Sequence, residues 1–569
     1  MSSKKEFLQI TDLKDMLNKT KEVYGDSPAY KIRDKIKKGK YKIITHKETR
    51  EMIDALGTAL MTLGLKGKRI GVIGENRYEW QIAYLSVVCG TGVVVPFDKS
   101  LPENELKRLI ERSDVEAIFY SEKYEATLKK LVLEGTGLLK HLISMDSVTH
   151  SNGVYSMPEL IEIGKVLLGN GNREFLDAKI NPEEMNIMLF TSGTTSQSKV
   201  VALSHKNICV NLMDLQKVIG LDTSDKVLSF LPLHHVFECT VGFLFSLYAG
   251  AQTAFCDGIK YMQDNYKEYN ITFAACVPAI FENMYKGIWK KIEKDGKKEE
   301  ILELLEKHKD APMEKRRKAF KYIHKMFGGN IKMLVSGAAA IDKSVIDGYR
   351  NFGINLCQGY GLTETSPVVG IETEENLRAG SIGKSLPSVE VKIFEPDNEG
   401  VGELLVKGES VMLGYYGNED ATKEAVVNGW FHTGDLAYID EDGYIFIRGR
   451  KKSVIVLKNG KNIFPEEMEN IVNRIEGVKE SFIFGKSNKK DPDDMKIYVK
   501  IVYDKEIVKI VYKTETEEEI LKAMHEKIKE INETMPAYKS IRGIILSQTP
   551  LIKTTTSKIK RQEELKTIE

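Results

Sequence analysis

Ile187-Met188-Leu189-Phe190-Thr191-Ser192-Gly193-Thr194-Thr195-Ser196-Gln197-Ser198-Lys199-Val200-Val201-Ala202-Leu203 is the stretch from which the rest of the chain can be read. Residues 187–190 form an apolar run of the kind expected of a buried strand. The run gives way to hydroxyls, one glycine and a lysine, then apolar residues resume at Val200. Hydroxyl and amide donors, a glycine that permits close approach and a lysine point charge are what a phosphate needs from a loop. The spacing from Gly193 to Lys199 approaches G-x-x-x-x-G-K-[ST]. Ser198, however, stands where the second glycine belongs, and Val200 where a magnesium-binding hydroxyl belongs. An ordinary Walker loop is therefore not expected. A Ser/Thr-rich turn between two strands has the same composition and stays open at this point.

Outward from this loop, the chain alternates short apolar runs with helical spacing. Residues 70–73, 93–96 and 117–120 read as strands and residues 80–89 as a helix. Ser100-Leu101-Pro102-Glu103 reads as a capping box opening a helix to about Ser113, because serine and glutamate three apart satisfy each other's free amides. Strand, helix, strand at this spacing predicts parallel α/β sheets. A helix is expected from Asn207 and a strand over 227–231, ending in Pro232-Leu233-His234-His235-Val236-Phe237-Glu238. Adjacent histidines diverge on either regular element and make poor partners for one metal, so one packed and one exposed imidazole is the plain expectation.

Residues 331–335 form a strand that runs into Ser336-Gly337-Ala338-Ala339-Ala340, small enough for something flat to lie against the backbone. Gln358-Gly359-Tyr360-Gly361-Leu362-Thr363-Glu364-Thr365 follows, an aromatic face between glycines with a hydroxyl and a carboxylate close behind. Such a segment could stack a base and reach phosphate and metal. Trp430-Phe431-His432-Thr433-Gly434-Asp435 places a carboxylate at an expected strand end, where it could accept two ribose hydroxyls or simply cap a turn. Past Gly449-Arg450-Lys451-Lys452-Ser453 a small α+β unit is expected, with Ile520, Met524, Ile528 and Ile531 marking one amphipathic helix. Residues 550–561 are basic and hydroxyl-rich, and the plain reading is a frayed terminus.

Composition limits what these motifs can serve. At 569 residues, the chain has room for roughly three or four domain-sized units. Lys+Arg 83 against Asp+Glu 82 gives no global attraction to nucleic acid, and the basic run from 285 to 325 reads as solvated helix faces. Six scattered cysteines without a C-x-x-C pair read as buried free thiols of a reducing, cytoplasmic compartment. No secretory h-region opens the chain. Residues 240–256 approach membrane-spanning length but are interrupted by Ser246 and glycines, so a buried helix and strand is expected and a peripheral contact with the inner face of a membrane stays open.

Five segments in one order, 191–199, 232–238, 359–365, 433–435 with 449–452, and 553–561, together resemble the adenylate-forming, AMP-binding acyl-activating enzymes. The match is best to bacterial long-chain fatty-acid–CoA ligases and spans nearly the whole chain. The resemblance implies a multi-domain α/β fold: a large N-terminal domain of α/β subdomains with a β-rich subdomain (1–449), a hinge at 450–453, and a small mobile C-terminal α+β domain (454–569). It implies that a fatty acid attacks the α-phosphorus of ATP, and that coenzyme A or a separate acyl carrier protein captures the acyl-adenylate. A non-catalytic nucleotide- or lipid-binding relative stays open as a third reading. By resemblance, Thr191, Ser192, Gly193, Thr194, Thr195 and Lys199 hold the phosphates, and Glu364 with Thr191 holds Mg2+. Thr363 meets the α-phosphate, Tyr360 stacks on adenine against Gly337 and Ala338, and Gln358, Gly359 and Gly361 are further nucleotide-binding positions. Asp435 takes the ribose hydroxyls with Arg450 nearby, Lys452 lies at the hinge, and His235 lies beside the acyl tunnel. Lys558, Thr194, His235 and Glu364 are the expected catalytic residues. The chain departs from the family's usual glycines at Ser196, Val200 and Ser557, and from its proline at Ser198.

Overall fold

A computed structural model describes residues 7–34, 39–151, 153–191, 199–458, 461–488, 491–514, 516–554 and 558–568. The chain divides into two compact units, one drawn from residues 1–390 and 406–431, the other chiefly from 391–405 and 432–569.

Two sheets organise the first unit. The first contains eight strands among the described residues, in the order Gly414–Tyr415, Val200–Ser204, Met185–Phe190, Gly92–Pro96, Lys68–Ile73, Val115–Tyr120, His141–Ser144, Val154–Ser156. Its centre is parallel: Ile70 faces Val94 on one side and Ala117 on the other. Strands buried on both faces need continuous apolar runs, and Ile70, Val72, Ile73, Val94 and Val95 are fully enclosed. The second sheet of this unit runs Lys384–Ser385, Val368–Ile371, Leu356–Gly361, Met333–Ser336, Phe273–Cys276, Lys226–Ser229, Gln252–Phe255, Pro28–Arg33, Tyr41–Thr45. Its core packs Leu334 and Leu356 against Phe281, Ile346 and Tyr349.

The apolar stretch after Phe237 forms a π-helical turn at Glu238–Leu244, the helix Phe245–Tyr248 and the strand Gln252–Phe255, all within the unit. No helix among the described residues is long and apolar enough to cross a membrane. The six cysteines are free thiols; five are buried and Cys256 is half-buried.

The second unit carries a three-stranded sheet, Val478–Asn488, Asp491–Tyr503 and Ile541–Ser547, antiparallel in its first pair and parallel in its second. Helix Glu517–Thr534 opens with a capping box from Thr516 to Glu519. Ile520, Met524 and Ile528 are buried against Val499 and Ile501, with Ile531 at the margin.

Local geometry corrects three expectations. The helix expected after Ser100 begins at Glu103 with Pro102 as its N-cap and no side-chain cap. Ser100 instead donates its amide to Asp98 Oδ1 at 2.8 Å, and the amides of Glu105 and Leu106 bond Pro102 O. Asp435 does not end a strand; it lies inside the ten-residue strand Trp430–Ile439. The terminal segment is anchored rather than frayed. Lys553 bridges Ile559, Leu551 is buried, and helix Arg561–Leu565 follows.

Candidate active site

The strands flanking the hydroxyl-rich loop pair with each other in antiparallel register, Phe190 opposite Val200 and Leu189 opposite Val201. The next helix, His205–Val218, starts only after the second strand, on its own Ser204 cap. A Walker loop runs from strand directly into helix, so this connection is of another kind. Thr191 closes its base, donating from N at 3.0 Å and from Oγ1 at 3.4 Å to Lys199 O. Ser192, Gly193, Thr194 and Thr195 lie outside the described residues, as do Ser196, Ser198 and Ser557.

Lys199 Nζ stands 4.1 Å from the ring centroid of Tyr415, a residue to which no sequence motif pointed. The tyrosine arrives on the short strand Gly414–Tyr415, paired with the strand that follows the loop, Gly414 opposite Ala202 and Tyr415 opposite Val201. Its hydroxyl donates to Glu364 Oε1 at 2.9 Å, and Met412 N donates to Glu364 O at 2.8 Å. One segment, 412–416, therefore ties the lysine of the loop to the carboxylate expected to hold a metal.

Glu364 lies in a short 3-10 turn, Thr363–Thr365, directly after the strand Leu356–Gly361 that carries Gln358, Gly359 and Tyr360. Glycine at 361 is dictated by packing: a Cβ there would sit 2.0 Å from Pro367 O. Beneath the strand, Glu372 Oε2 accepts from Gln358 N at 3.0 Å and from Arg350 at 2.7 Å. Burial pushes the Glu372 carboxyl up despite the guanidinium beside it. Gln358 Oε1 accepts from Ile341 N at 3.4 Å. Gly337 is the meeting point with the second motif, since a Cβ on it would lie 2.8 Å from the Phe237 ring. Ala338 adopts φ 68, an uncommon conformation for a residue with a side chain.

The two histidines are neither split between packed and exposed nor carried by a strand or helix; both are half-buried in a turn. His234 Nε2 lies 3.6 Å from Asp98 Oδ2, and burial lowers it to about 4. His235 Nδ1 accepts from Phe237 N at 3.3 Å. The motif's last residue, Glu238, is enclosed. Its Oε1 accepts from Ser229 Oγ at 2.6 Å, and Asn76 bonds both Ser229 Oγ and Leu231 O. Burial raises this carboxyl to about 8, outweighing the Ser229 hydroxyl and the main-chain amides of Leu231 and Phe230.

In the second unit, Asp435 faces Arg450 across a strand pair, with Arg450 Nε 2.8 Å from Asp435 Oδ1. Asp435 N donates to Thr433 Oγ1, which itself donates to Leu404 O. Lys452 lies in the 3-10 turn Lys451–Ser453 that follows. Around Lys558, Thr554 N donates to Lys558 O at 2.8 Å, and Lys558 N donates to Thr554 Oγ1 at 3.1 Å. Arg561 then locks the segment to Glu469 at 2.5 Å and to Glu466 at 3.3 Å.

With this geometry in view, the family models decide the affiliation. The AMP-binding enzyme model matches residues 17–416 and that of the AMP-binding enzyme C-terminal domain matches residues 452–568. The chain belongs to the AMP-binding enzyme family. Similar proteins of this family include long chain acyl-CoA synthetase 3 of Arabidopsis thaliana, 28% identical over 490 residues (79% of this chain, 72% of that one). Long-chain-fatty-acid–CoA ligase FadD15 of Mycobacterium tuberculosis is 28% identical over 477 residues (78% and 75%). The fold is shared with the anthranilate CoA ligase AuaEII in complex with anthranoyl-AMP, at TM-score 0.77 and 19% identity over 99% of this chain and 98% of that one. It is shared also with a Mycobacterium tuberculosis fatty acyl CoA synthetase, at TM-score 0.66 and 19% identity over 98% of each. In this AMP-binding enzyme Tyr415 is the residue that sequence reasoning missed. Its only trace in the sequence is a tyrosine pair between Gly414 and Gly417, with nothing to say which strand it joins.

Proposed function

We propose that the chain activates a long-chain fatty acid with ATP and transfers the acyl group to coenzyme A, releasing pyrophosphate and AMP. The observation that carries this reading is Tyr415 between Lys199 and Glu364: a cation suited to phosphate and a carboxylate suited to a hard metal share one support. The acid is anionic at neutral pH, so the first step needs no general base. It must bring two anions together, and charge neutralisation and orientation dominate its barrier. Lys199 serves the β- and γ-phosphates, with the hydroxyls of 191–195. Tyr360, Gln358, Gly359 and Gly361 serve adenine beside Gly337 and Ala338, and Thr363 the α-phosphate.

Among the described residues no three His, Cys, Asp or Glu side chains gather as a metal cage. One carboxylate, Glu364, and one hydroxyl, Thr191, form an all-oxygen donor set of the kind that holds Mg2+ jointly with substrate phosphates. When bound, the ion would neutralise phosphate charge. The sequence resemblance assigns Asp435 to the ribose with Arg450 nearby, Lys452 to a hinge at 450–453 between domains 1–449 and 454–569, and Lys558 to the α-phosphate. The acyl carboxylate attacks the α-phosphorus as the bond to pyrophosphate breaks. The thiol of coenzyme A then attacks the acyl carbonyl and AMP leaves. A fatty tail suits the second motif, where Glu238 is kept uncharged by burial and His234 likewise.

Mass spectrometry of the products from ATP, Mg2+, palmitate and coenzyme A tests the proposal. Palmitoyl-CoA with AMP supports it. Acyl-adenylate without palmitoyl-CoA would instead point to an acyl carrier protein as acceptor, and the absence of either product would refute ligase activity. An acid panel from acetate to oleate, read by pyrophosphate release, fixes the chain length.

A further inference from the structure

We infer that Tyr415 is a positioning residue: its ring holds the Lys199 ammonium and its hydroxyl holds the Glu364 carboxylate where an incoming Mg2+–nucleotide needs them. The inference rests on the reading of Lys199 and Glu364 as phosphate and metal ligands.

Four observations support it. The ammonium lies over the ring face at 4.1 Å, within the range where the ring quadrupole attracts a cation. The hydroxyl donates to one carboxylate oxygen, Oε1, at 2.9 Å. An ionised carboxylate offers about four lone-pair sites, so this bond fixes the group's direction while leaving acceptor sites for a metal. The tyrosine itself is rigidly placed: it is buried, its amide donates to Thr422 Oγ1 at 2.9 Å, and its neighbours Leu413 and Tyr416 donate to Ala202 O and Val200 O. Finally, Met412 N bonds Glu364 O, so the same segment sets both the backbone and the side chain of the glutamate.

A cation resting on an aromatic ring is held without being neutralised. Lys199 can meet phosphate oxygens while it stays over the ring face, whereas a carboxylate partner would compete with the phosphate for the same charge. Glu364 keeps its orienting hydroxyl throughout, as ligating carboxylates commonly do.

The two halves of the role are separable. Tyr415→Phe keeps the ring and removes the hydroxyl; Tyr415→Leu removes both. Calorimetric titration of the full chain with ATP alone, in EDTA and then over a series of Mg2+ concentrations, reads binding without turnover. Tyr415→Phe is expected to bind ATP as the wild type does in EDTA but to need about tenfold more Mg2+ for the same tightening, the low end of what loss of an orienting partner costs a metal site. Tyr415→Leu is expected to bind ATP more weakly in EDTA as well. A Tyr415→Phe protein with the wild-type Mg2+ midpoint overturns the proposal, and so does equal weakening of both variants in EDTA. Thermal melting shows whether each variant is folded, and the phenylalanine variant decides the matter if the leucine variant is not. Wild type that binds ATP with Mg2+ yet forms no acyl product refutes the ligase reading alone. Wild type that binds no ATP overturns both.

Discussion

Glu238→Gln changes one carboxyl oxygen to an amide at a position that the first unit encloses completely. Burial lifts this carboxyl from its ordinary 4.5 to about 8. The folded chain therefore keeps the proton up to about pH 8, while the unfolded chain surrenders it near 4.5. Between those values the folded state binds more protons, so the stability this group contributes is greatest below 4.5 and falls as pH rises towards 8. Each pH unit in that window costs about 1.4 kcal/mol, so the wild type loses about 3 kcal/mol between pH 5 and pH 7 from this group. Glutamine has no such proton and retains an oxygen for the Ser229 hydroxyl. The variant should therefore gain about 3 kcal/mol on the wild type over the same interval. All three tryptophans, Trp80, Trp289 and Trp430, belong to the first unit, so urea denaturation followed by tryptophan fluorescence reports this unit. Stability curves of the two proteins that run parallel from pH 5 to pH 8 would refute the reasoning. An infrared band of a protonated carboxyl that the variant lacks gives an independent check.

Other perturbations test the remaining parts. Lys558→Ala should raise the adenylation barrier by about 3 kcal/mol, as the loss of one charge-stabilising donor does; unchanged pyrophosphate release removes the lysine from that role. Arg561→Met leaves Glu469 buried and unpaired, which should cost the second unit about 3 kcal/mol. Glu469→Met added to it should recover most of that loss, read as hydrogen-exchange protection of residues 551–565. Gly361→Ala places a methyl against Pro367 O, so the Gln358–Glu364 strand and turn must shift at a cost of about 1–3 kcal/mol. A lowered melting temperature together with weakened ATP binding checks it.

The central strands of the first unit are legible because they are buried on both faces. Residues 70–73 and 187–190 have only one reading when an apolar run is short and bounded by turns. The helix at Glu517–Thr534 is legible for the complementary reason, that half of it is solvated and its stripe shows. What escaped the sequence depends on partners distant in the chain. Tyr415 meets a carboxylate 51 residues before it, and no local periodicity encodes that pairing. The terminal segment is fixed by an arginine that binds a glutamate 92 residues away, where local composition gives only lysines and hydroxyls. Asp435, expected at a strand end, lies inside a strand that runs on through Gly434. Gly434 adopts φ 71 inside the strand, just before a register irregularity at Leu436 and Ala437. At Ser100 the competing acceptor, Asp98, lies two residues back and captures the amide that a capping box requires.

Phe190 and Val200 are cross-strand partners, and the first helix among the described residues after them starts at His205, beyond the second strand. A peptide dipole at a helix end is a fixed electrode: it cannot be withdrawn, and it exerts the same pull on every anion that approaches. Here one source of attraction is a side-chain ammonium that rests on the Tyr415 ring. Nucleotide capture should therefore weaken as ionic strength rises.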